Sequence, residues 1–345
     1  MASGRRPLRA IGATALGLGM AALATGTAVR VAGRRVRRSI DPELDEILEV
    51  QTEVRHHDLV STDGALVHVV ERIGGPVDGK AASTGQREIP VVLLHGVTLQ
   101  WWVWAAQFNT LPARYRVFAW DMRGHGSSTV GSDGITMESV AQDLRVLLEH
   151  FDLHDTLVVG HSMGGMALGA FCAEHREVQE QRVAHLMFLA TSAATMALPA
   201  LAGGAVGLVN LITGHTAELL QPRLSPSWRD TDLSALLVRS VFGRHPSGKA
   251  VDEVRRMLAD VDPEVARDAG RAIAAHDVRE DLGAVEVPTM VVVGDADRLT
   301  PPAHARLVAE AVPGADLRVL EGIGHQVMQE DPDALAALID ELAAR

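Results

Sequence analysis

Thr156-Leu157-Val158-Val159-Gly160-His161-Ser162-Met163-Gly164-Gly165 is the stretch from which the rest of this chain can be read. Its first four residues are a short continuous apolar run, the mark of a strand covered on both faces. The run stops at Gly160, and a helix-like segment, Met163 to His175, starts straight after. A G-x-S-x-G at a strand-to-helix junction is a nucleophile elbow. The turn is so tight that the residues two positions either side of the serine have no room for a side chain, and Gly160 and Gly164 meet that condition. Ser162 is thereby held proud of the sheet, and the positive end of the following helix favours negative charge beside it.

Further apolar runs recur on both sides of the elbow. Pro90 to Leu94, Tyr115 to Trp120, His185 to Leu189 and Thr289 to Val293 read as buried strands, with Leu317 to Leu320 a weaker candidate. Glu53 to Val60 and Ala65 to Glu71 read as a hairpin about Thr62-Asp63-Gly64. Helical patterns alternate with the strands. Met137, Val140, Leu144, Leu147, Leu148 and Phe151 make a stripe at helical spacing, with Thr136 as N-cap. Pro302 to Val312 and Asp333 to Leu342 follow as helices, and Glu43 to Glu49 reads as a short acidic one. Such alternation predicts an α/β fold, a mostly parallel sheet with helices on both faces. It fails over about 192–282, where Leu233 to Phe242 and Lys249 to Leu258 are helix-like and an uncharged stretch, Ala193 to Thr213, precedes them. A helical lid inserted into the sheet domain fits this region better than a membrane segment. Gly74 to Gln86 reads as a loop.

A serine hydroxyl needs a base within hydrogen-bond reach and a third group to orient that base. Elbow enzymes order them as Ser, then Asp or Glu, then His, and the chain supplies that order. Gly294-Asp295-Ala296-Asp297 follows one strand run and Gly322-Ile323-Gly324-His325 follows the last. Both acids and the histidine fall where open α/β sheets place their ligands, at the carboxyl ends of strands. His325 is the expected base and Asp297 the expected orienting acid, with Asp295 its competitor. The oxyanion needs donors fixed in advance. The Met163 N–H is one, and the Val97 N–H of His95-Gly96-Val97-Thr98 is the expected second. His95 and His161 are expected to brace the structure, with the turn pointing His161 away from Ser162. Trp101 and Trp102, just beyond, are candidate substrate contacts. No H-E-x-x-H or comparable ligand spacing occurs, so neither a metal nor another cofactor is expected. The single cysteine, Cys172, excludes an intrachain disulfide and reads as a small buried hydrophobe.

The formal net charge is −12, which argues against a nucleic-acid partner. That figure joins two unlike parts. Residues 1–38 hold eight arginines and no acid, leaving the remainder at −20. Within this leader, residues 10–29 form a 20-residue run without charge, just long enough to cross a bilayer as a helix. The heavier arginine flank follows the run. Membrane association through residues 10–29, with the catalytic domain cytoplasmic, is therefore the first expectation. A cleaved export signal ending near Ala22-Leu23-Ala24 is the second, and a loosely ordered amphipathic helix the third.

With these residues in view, the chain over about 50–345 resembles the α/β-hydrolase superfamily. His95-Gly96 resembles that family's oxyanion loop, and Asp121-Met122-Arg123-Gly124-His125-Gly126-Ser127-Ser128 its D-x-R-G-x-G-x-S loop. Gly160 to Gly165 matches its elbow, Asp297 with Thr300-Pro301 its acid loop, and Gly324-His325 with Glu330-Asp331-Pro332 its histidine loop. The resemblance implies an eight-stranded sheet with the lid after the sixth strand, and a domain spanning 39–345. Relatives that open epoxides or remove halide carry Asp at the nucleophile position. Ser162 points instead to acyl transfer to water, an esterase or lipase-like activity on a small hydrophobic acyl ester. Thioesterase, carbon–carbon hydrolase and perhydrolase chemistry are the alternatives on the same fold. A non-catalytic binding protein is the remote one.

Overall fold

Residues 27–74, 88–194 and 231–345 are described by a computed structural model. The apolar runs pair side by side, because a strand buried on both faces can satisfy its N–H and C=O groups only laterally. The strands are β1 (Val54–Val60), β2 (Leu66–Arg72), β3 (Ile89–Leu94), β4 (Tyr115–Trp120), β5 (Thr156–His161), β6 (Val183–Leu189), β7 (Thr289–Gly294) and β8 (Asp316–Leu320). They form one eight-stranded sheet in the order β1-β2-β4-β3-β5-β6-β7-β8. β1 and β2 are an antiparallel hairpin that turns at Gly64, β2 runs antiparallel to β4, and every other neighbour is parallel. β5 lies at the centre, so the elbow is carried by a strand with partners on both sides.

Helices cover both faces. In chain order they are α1 (27–37), α2 (Pro42–Ile47), α3 (Ala105–Thr110), α4 (Met137–His150), α5 (Met163–Glu174), α6 (Arg176–Arg182), α7 (Asp232–Arg239), α8 (Gly248–Asp260), α9 (Pro263–Ala275), α10 (Pro302–Ala311), α11 (Val327–Glu330) and α12 (Pro332–Ala343). Strand side chains alternate between faces, and the core divides accordingly. Val92, Leu94, Val158 and Val291 pack with Leu144 and Phe171 of α4 and α5. Val91, Leu93, Val159 and Val292 pack on the other face with Phe108, Leu335 and Ile339 of α3 and α12. Cys172 is buried on α5, and burial pushes its thiol up to about 12.

No strand interrupts the described residues between β6 and β7. That interval holds α7, α8, α9 and a 3-10 turn, Asp281–Ala284. α9 escapes the apolar pattern because its buried positions are mostly Ala and Gly, yet Asp262 caps it and Pro263 occupies its first turn, a start signal legible in sequence. α6, polar apart from Val178, carries no apolar stripe to mark it in sequence. Residues 1–26, most of the expected loop 74–86 and the stretch 195–230 lie outside the described residues. Among the described residues no helix is long and apolar enough to cross a membrane.

Candidate active site

β5 ends at His161 and the chain reverses at Ser162, whose φ is 52°. Left-handed backbone is strained for a residue with a side chain and persists only where its surroundings enforce it. The enforcement is visible. A Cβ on Gly160 would lie 2.7 Å from the Gly164 carbonyl oxygen, and one on Gly164 would lie 2.6 Å from those of Leu94 and His95. Thr191 Oγ1 donates to the Ser162 carbonyl at 2.6 Å, tying the turn to the loop after β6. Met163 opens α5, so its N–H sits in a first turn that has no intrahelical acceptor.

His325 lies in the loop between β8 and α11, and Asp297 in the loop after β7. The two are 2.9 Å apart, His325 Nδ1 to Asp297 Oδ2. A carboxylate only accepts, so the proton resides on Nδ1 and Nε2 keeps its lone pair. Asp297 is held by further donors. Its Oδ1 accepts from the Leu299 and Thr300 N–H groups at 2.8 and 3.0 Å. Thr300 Oγ1 stands 2.9 Å from Oδ2 and 3.2 Å from His325 Nδ1. Both Asp297 and His325 are buried. Asp295 instead is exposed, accepts the Gly322 N–H at 2.7 Å and faces Arg244 at 3.8 Å. Of the two acids, His325 therefore meets Asp297 and not Asp295.

Glu330 fixes the histidine loop from beneath. Its carboxylate accepts N–H groups from Gly243, Gly324 and Gln326 at 2.6, 3.1 and 3.1 Å. Burial raises this carboxyl, against the pull of those three donors. His325 N–H donates to the Val241 carbonyl at 2.8 Å, so the loop is clamped to the chain linking α7 and α8.

The loop after β3 approaches Ser162 from the other side. A Cβ on Gly96 would come 2.9 Å from the Ser162 Cβ, so glycine is what lets this backbone close on the serine. Two buried histidines hold the loop. His95 Nδ1 donates to the Gly96 carbonyl at 2.7 Å while its Nε2 accepts the Met122 N–H at 2.9 Å. His125 Nε2 accepts the Thr98 N–H at 3.0 Å. An imidazole that accepts must be neutral. Burial ensures it, lowering His95 and bringing His125 to about 4. His125 was not singled out for this role, although it stands inside the D-x-R-G-x-G-x-S stretch. Asp121 of that stretch accepts the Trp101 N–H at 2.8 Å and the Ser127 N–H at 3.0 Å. Arg123 reaches Asp143 on α4 at 2.7 Å and Asp63 of the hairpin turn at 2.9 Å.

Two expectations need correction. His161 does not point away from the site. It lines the same cavity as Ser162 and His325, and its Nε2 donates to the His325 carbonyl at 2.9 Å. Burial, and then the neighbouring His325, hold His161 well below the ordinary histidine range. Trp101 and Trp102 do not line the cavity among the described residues. Asp121 captures the Trp101 N–H, and the Trp101 ring packs edge-on against His56 and Phe108. Trp102 donates from Nε1 to Gln100 at 2.8 Å, with Arg256 over its ring.

The cavity itself encloses about 60 Å³. Gly96, Val97, Ser162, Thr300 and His325 form its reactive side. Val238, Val241, Val254, Leu258 and Ile273, from α7, the segment after it, α8 and α9, form the facing wall. A larger open groove of about 730 Å³ between α4, α5 and α9 is lined by carboxylates, among them Glu138, Glu174 and Asp268, and includes neither Ser162 nor His325.

Residues 89–332 match the alpha/beta hydrolase fold family. The chain belongs to that family. A non-heme chloroperoxidase of Kitasatospora aureofaciens is 31% identical over 247 residues, covering 69% of this chain and 85% of that protein. Among solved structures, an esterase of Exiguobacterium antarcticum superposes with a TM-score of 0.67 at 20% identity, covering 84% of this chain and 100% of the esterase. A bromoperoxidase of Bacillus anthracis gives the same TM-score, identity and coverage. At that identity the two structures establish the fold alone. This α/β hydrolase is an enzyme of the family, with hydrolase activity.

Proposed function

We propose that this chain hydrolyses carboxylic esters of short, apolar acids through Ser162, His325 and Asp297. The observation that carries the reading is the 2.9 Å bond from His325 Nδ1 to Asp297, in a cavity that also holds Ser162. It leaves the bare Nε2 of His325 as the base. Ser162 Oγ attacks the ester carbonyl carbon and passes its proton to Nε2, while Asp297 stabilises the imidazolium that forms. The carbonyl oxygen becomes an oxyanion held by the Val97 and Met163 N–H groups. Thr98 and Leu99 cannot share that task, because their N–H groups are committed to His125 and to the Gly96 carbonyl. The imidazolium then protonates the departing alcohol, leaving an acyl-enzyme. Water attacks the acyl-enzyme with His325 again as base, and the acid is released.

A cavity of about 60 Å³ with five branched aliphatic wall residues favours a short acyl chain. In this reading residues 39–345 are one domain, and the helices of 192–282 serve as its lid. A panel of p-nitrophenyl esters graded by acyl length tests it. Turnover should be highest for the shortest acids and absent in Ser162→Ala, which should also escape labelling by a fluorophosphonate. Labelling that survives in the variant sinks the assignment.

The similarity to a chloroperoxidase supports a second reading, in which hydrogen peroxide replaces water as the acceptor of the acyl group. The products would then be a peracid and free Ser162. Peracid formation from ester plus peroxide, lost in Ser162→Ala, separates the two acceptors.

A further inference from the structure

Helix α1 rests on the inserted helices. A Cβ on the buried Gly33 would come 2.5 Å from that of Asp232 on α7. Arg37 Nε is 3.6 Å from the Asp232 carboxylate. The Gly248 N–H, at the start of α8, donates to the Ser39 carbonyl at 2.7 Å, and Val36 packs into the core of that side. At about 100° per residue, these contacts use one side of α1. Arg34, Arg35 and Arg38 occupy the other side and Arg30 its border, all exposed, with Val31 among them at 63% exposure. None of these four guanidinium groups pairs with a carboxylate among the described residues. The Asp232 carboxylate that α1 meets is taken by Arg37.

We propose that this arginine face docks on an anionic phospholipid surface and seats the inserted helices against it. Guanidinium groups pair with phosphate in a planar, two-pronged geometry, and each adds to the attraction near an anionic bilayer. In sequence, the uncharged run 10–29 ends immediately before Arg30. An apolar run leading into a basic face suits a bilayer and its head groups, whereas a nucleic acid has no use for the run. Ile40, 75% exposed just past the helix, and Val31 add apolar groups at the same level. The acidic remainder of the chain is repelled by such a surface, so α1 supplies the attraction. α7 and α8 carry Val238 and Val254 of the cavity wall, so an ester dissolved in the lipid would arrive beside the wall that receives its acyl group.

The test uses the full chain and flotation with phosphatidylcholine vesicles, with and without phosphatidylglycerol. The wild type should bind more tightly when phosphatidylglycerol is present, and salt should erase the gain. Replacing the four arginines together (R30Q, R34Q, R35Q, R38Q) should cut that gain by at least about tenfold. Ester turnover in the variant should remain at the wild-type level, which certifies its fold. Ser162→Ala should float like the wild type, so failure here is separable from failure of the esterase reading. A phosphatidylglycerol gain that persists in the variant overturns the proposal. So does wild-type binding that ignores phosphatidylglycerol, which assigns attachment to the run alone. Arginine-dependent binding of duplex DNA at equal affinity also overturns it.

Discussion

At the carboxyl ends of β5, β7 and β8, Ser162, Asp297 and His325 are held by hydrogen bonds. Across the cavity, Val238, Val241, Val254, Leu258 and Ile273 are held by packing. On the sheet side each reactive group has named partners, and the partners have partners. Asp297 takes two N–H groups and a hydroxyl besides His325. Glu330 pins the loop beneath, and His95 and His125 pin the loop opposite. Hydrogen bonds are directional, and a buried group that loses one has no substitute. Aliphatic packing is non-directional and tolerates exchange where volume is kept. In the proposed function the sheet edge therefore sets what reaction occurs, and the inserted helices set which acyl group enters.

The largest expected effect comes from removing the proposed nucleophile. Ser162→Ala should lower kcat by about 10⁴-fold or more, with little change in KM for a short ester, because the cavity walls remain. Comparable losses on both sides of the cavity would erase the distinction between them. Asp297→Asn is next, at about 10⁴-fold in kcat, because the amide no longer fixes the proton on His325 Nδ1. Asp295→Asn should leave kcat close to wild type, since Asp295 caps the Gly322 N–H away from the cavity. Steady-state kinetics of the two variants side by side would break the assignment if Asp295→Asn were the slower.

Changes on the facing wall should redirect the reaction without abolishing it. Val254→Ala enlarges the cavity and should shift preference toward longer acids. Val238→Phe fills it and should shift preference the other way, each by about tenfold in relative kcat/KM. Measured over the graded ester panel, equal losses on all chain lengths would show that these residues do not select.

The same contrast explains what the sequence could show. The elbow, the acid and the histidine are legible because each stands beside glycines or at the end of an apolar run, and strand order converts those local marks into one edge. His125 and Thr300 sat inside recognised stretches, yet their contacts reach 27 and 25 residues along the chain and are fixed only by folding. Trp101 misled for the same reason. The Trp101 N–H is held by Asp121, 20 residues away, and Trp101, Trp102 and Trp104 look alike in sequence. The wall was unreadable because every amphipathic helix hides an apolar face, and nothing local says against what.

One carboxylate belongs to both sides and gives the smallest of these effects. Glu253 on α8 is buried and accepts from Gln329 of α11 at 3.0 Å, joining the inserted helices to the segment that follows His325. Burial raises its pKa from 4.5 to about 7, against the attraction of Lys249 and Arg256. A carboxyl raised by folding binds its proton more tightly in the folded chain than in the unfolded one. Its contribution to stability is complete below about 4.5 and is lost as pH climbs to about 7. The ceiling on that loss is roughly 3 kcal/mol. Glu253→Gln keeps a neutral acceptor for Gln329 at every pH, so the variant should gain stability relative to the wild type across this window. Asp63 and Asp121, whose carboxyls are lowered and so weaken the fold on acidification, are common to both proteins and cancel in the difference. Thermal melts of the pair should therefore diverge as pH rises, and melting curves that stay parallel would mean that folding does not raise the Glu253 carboxyl.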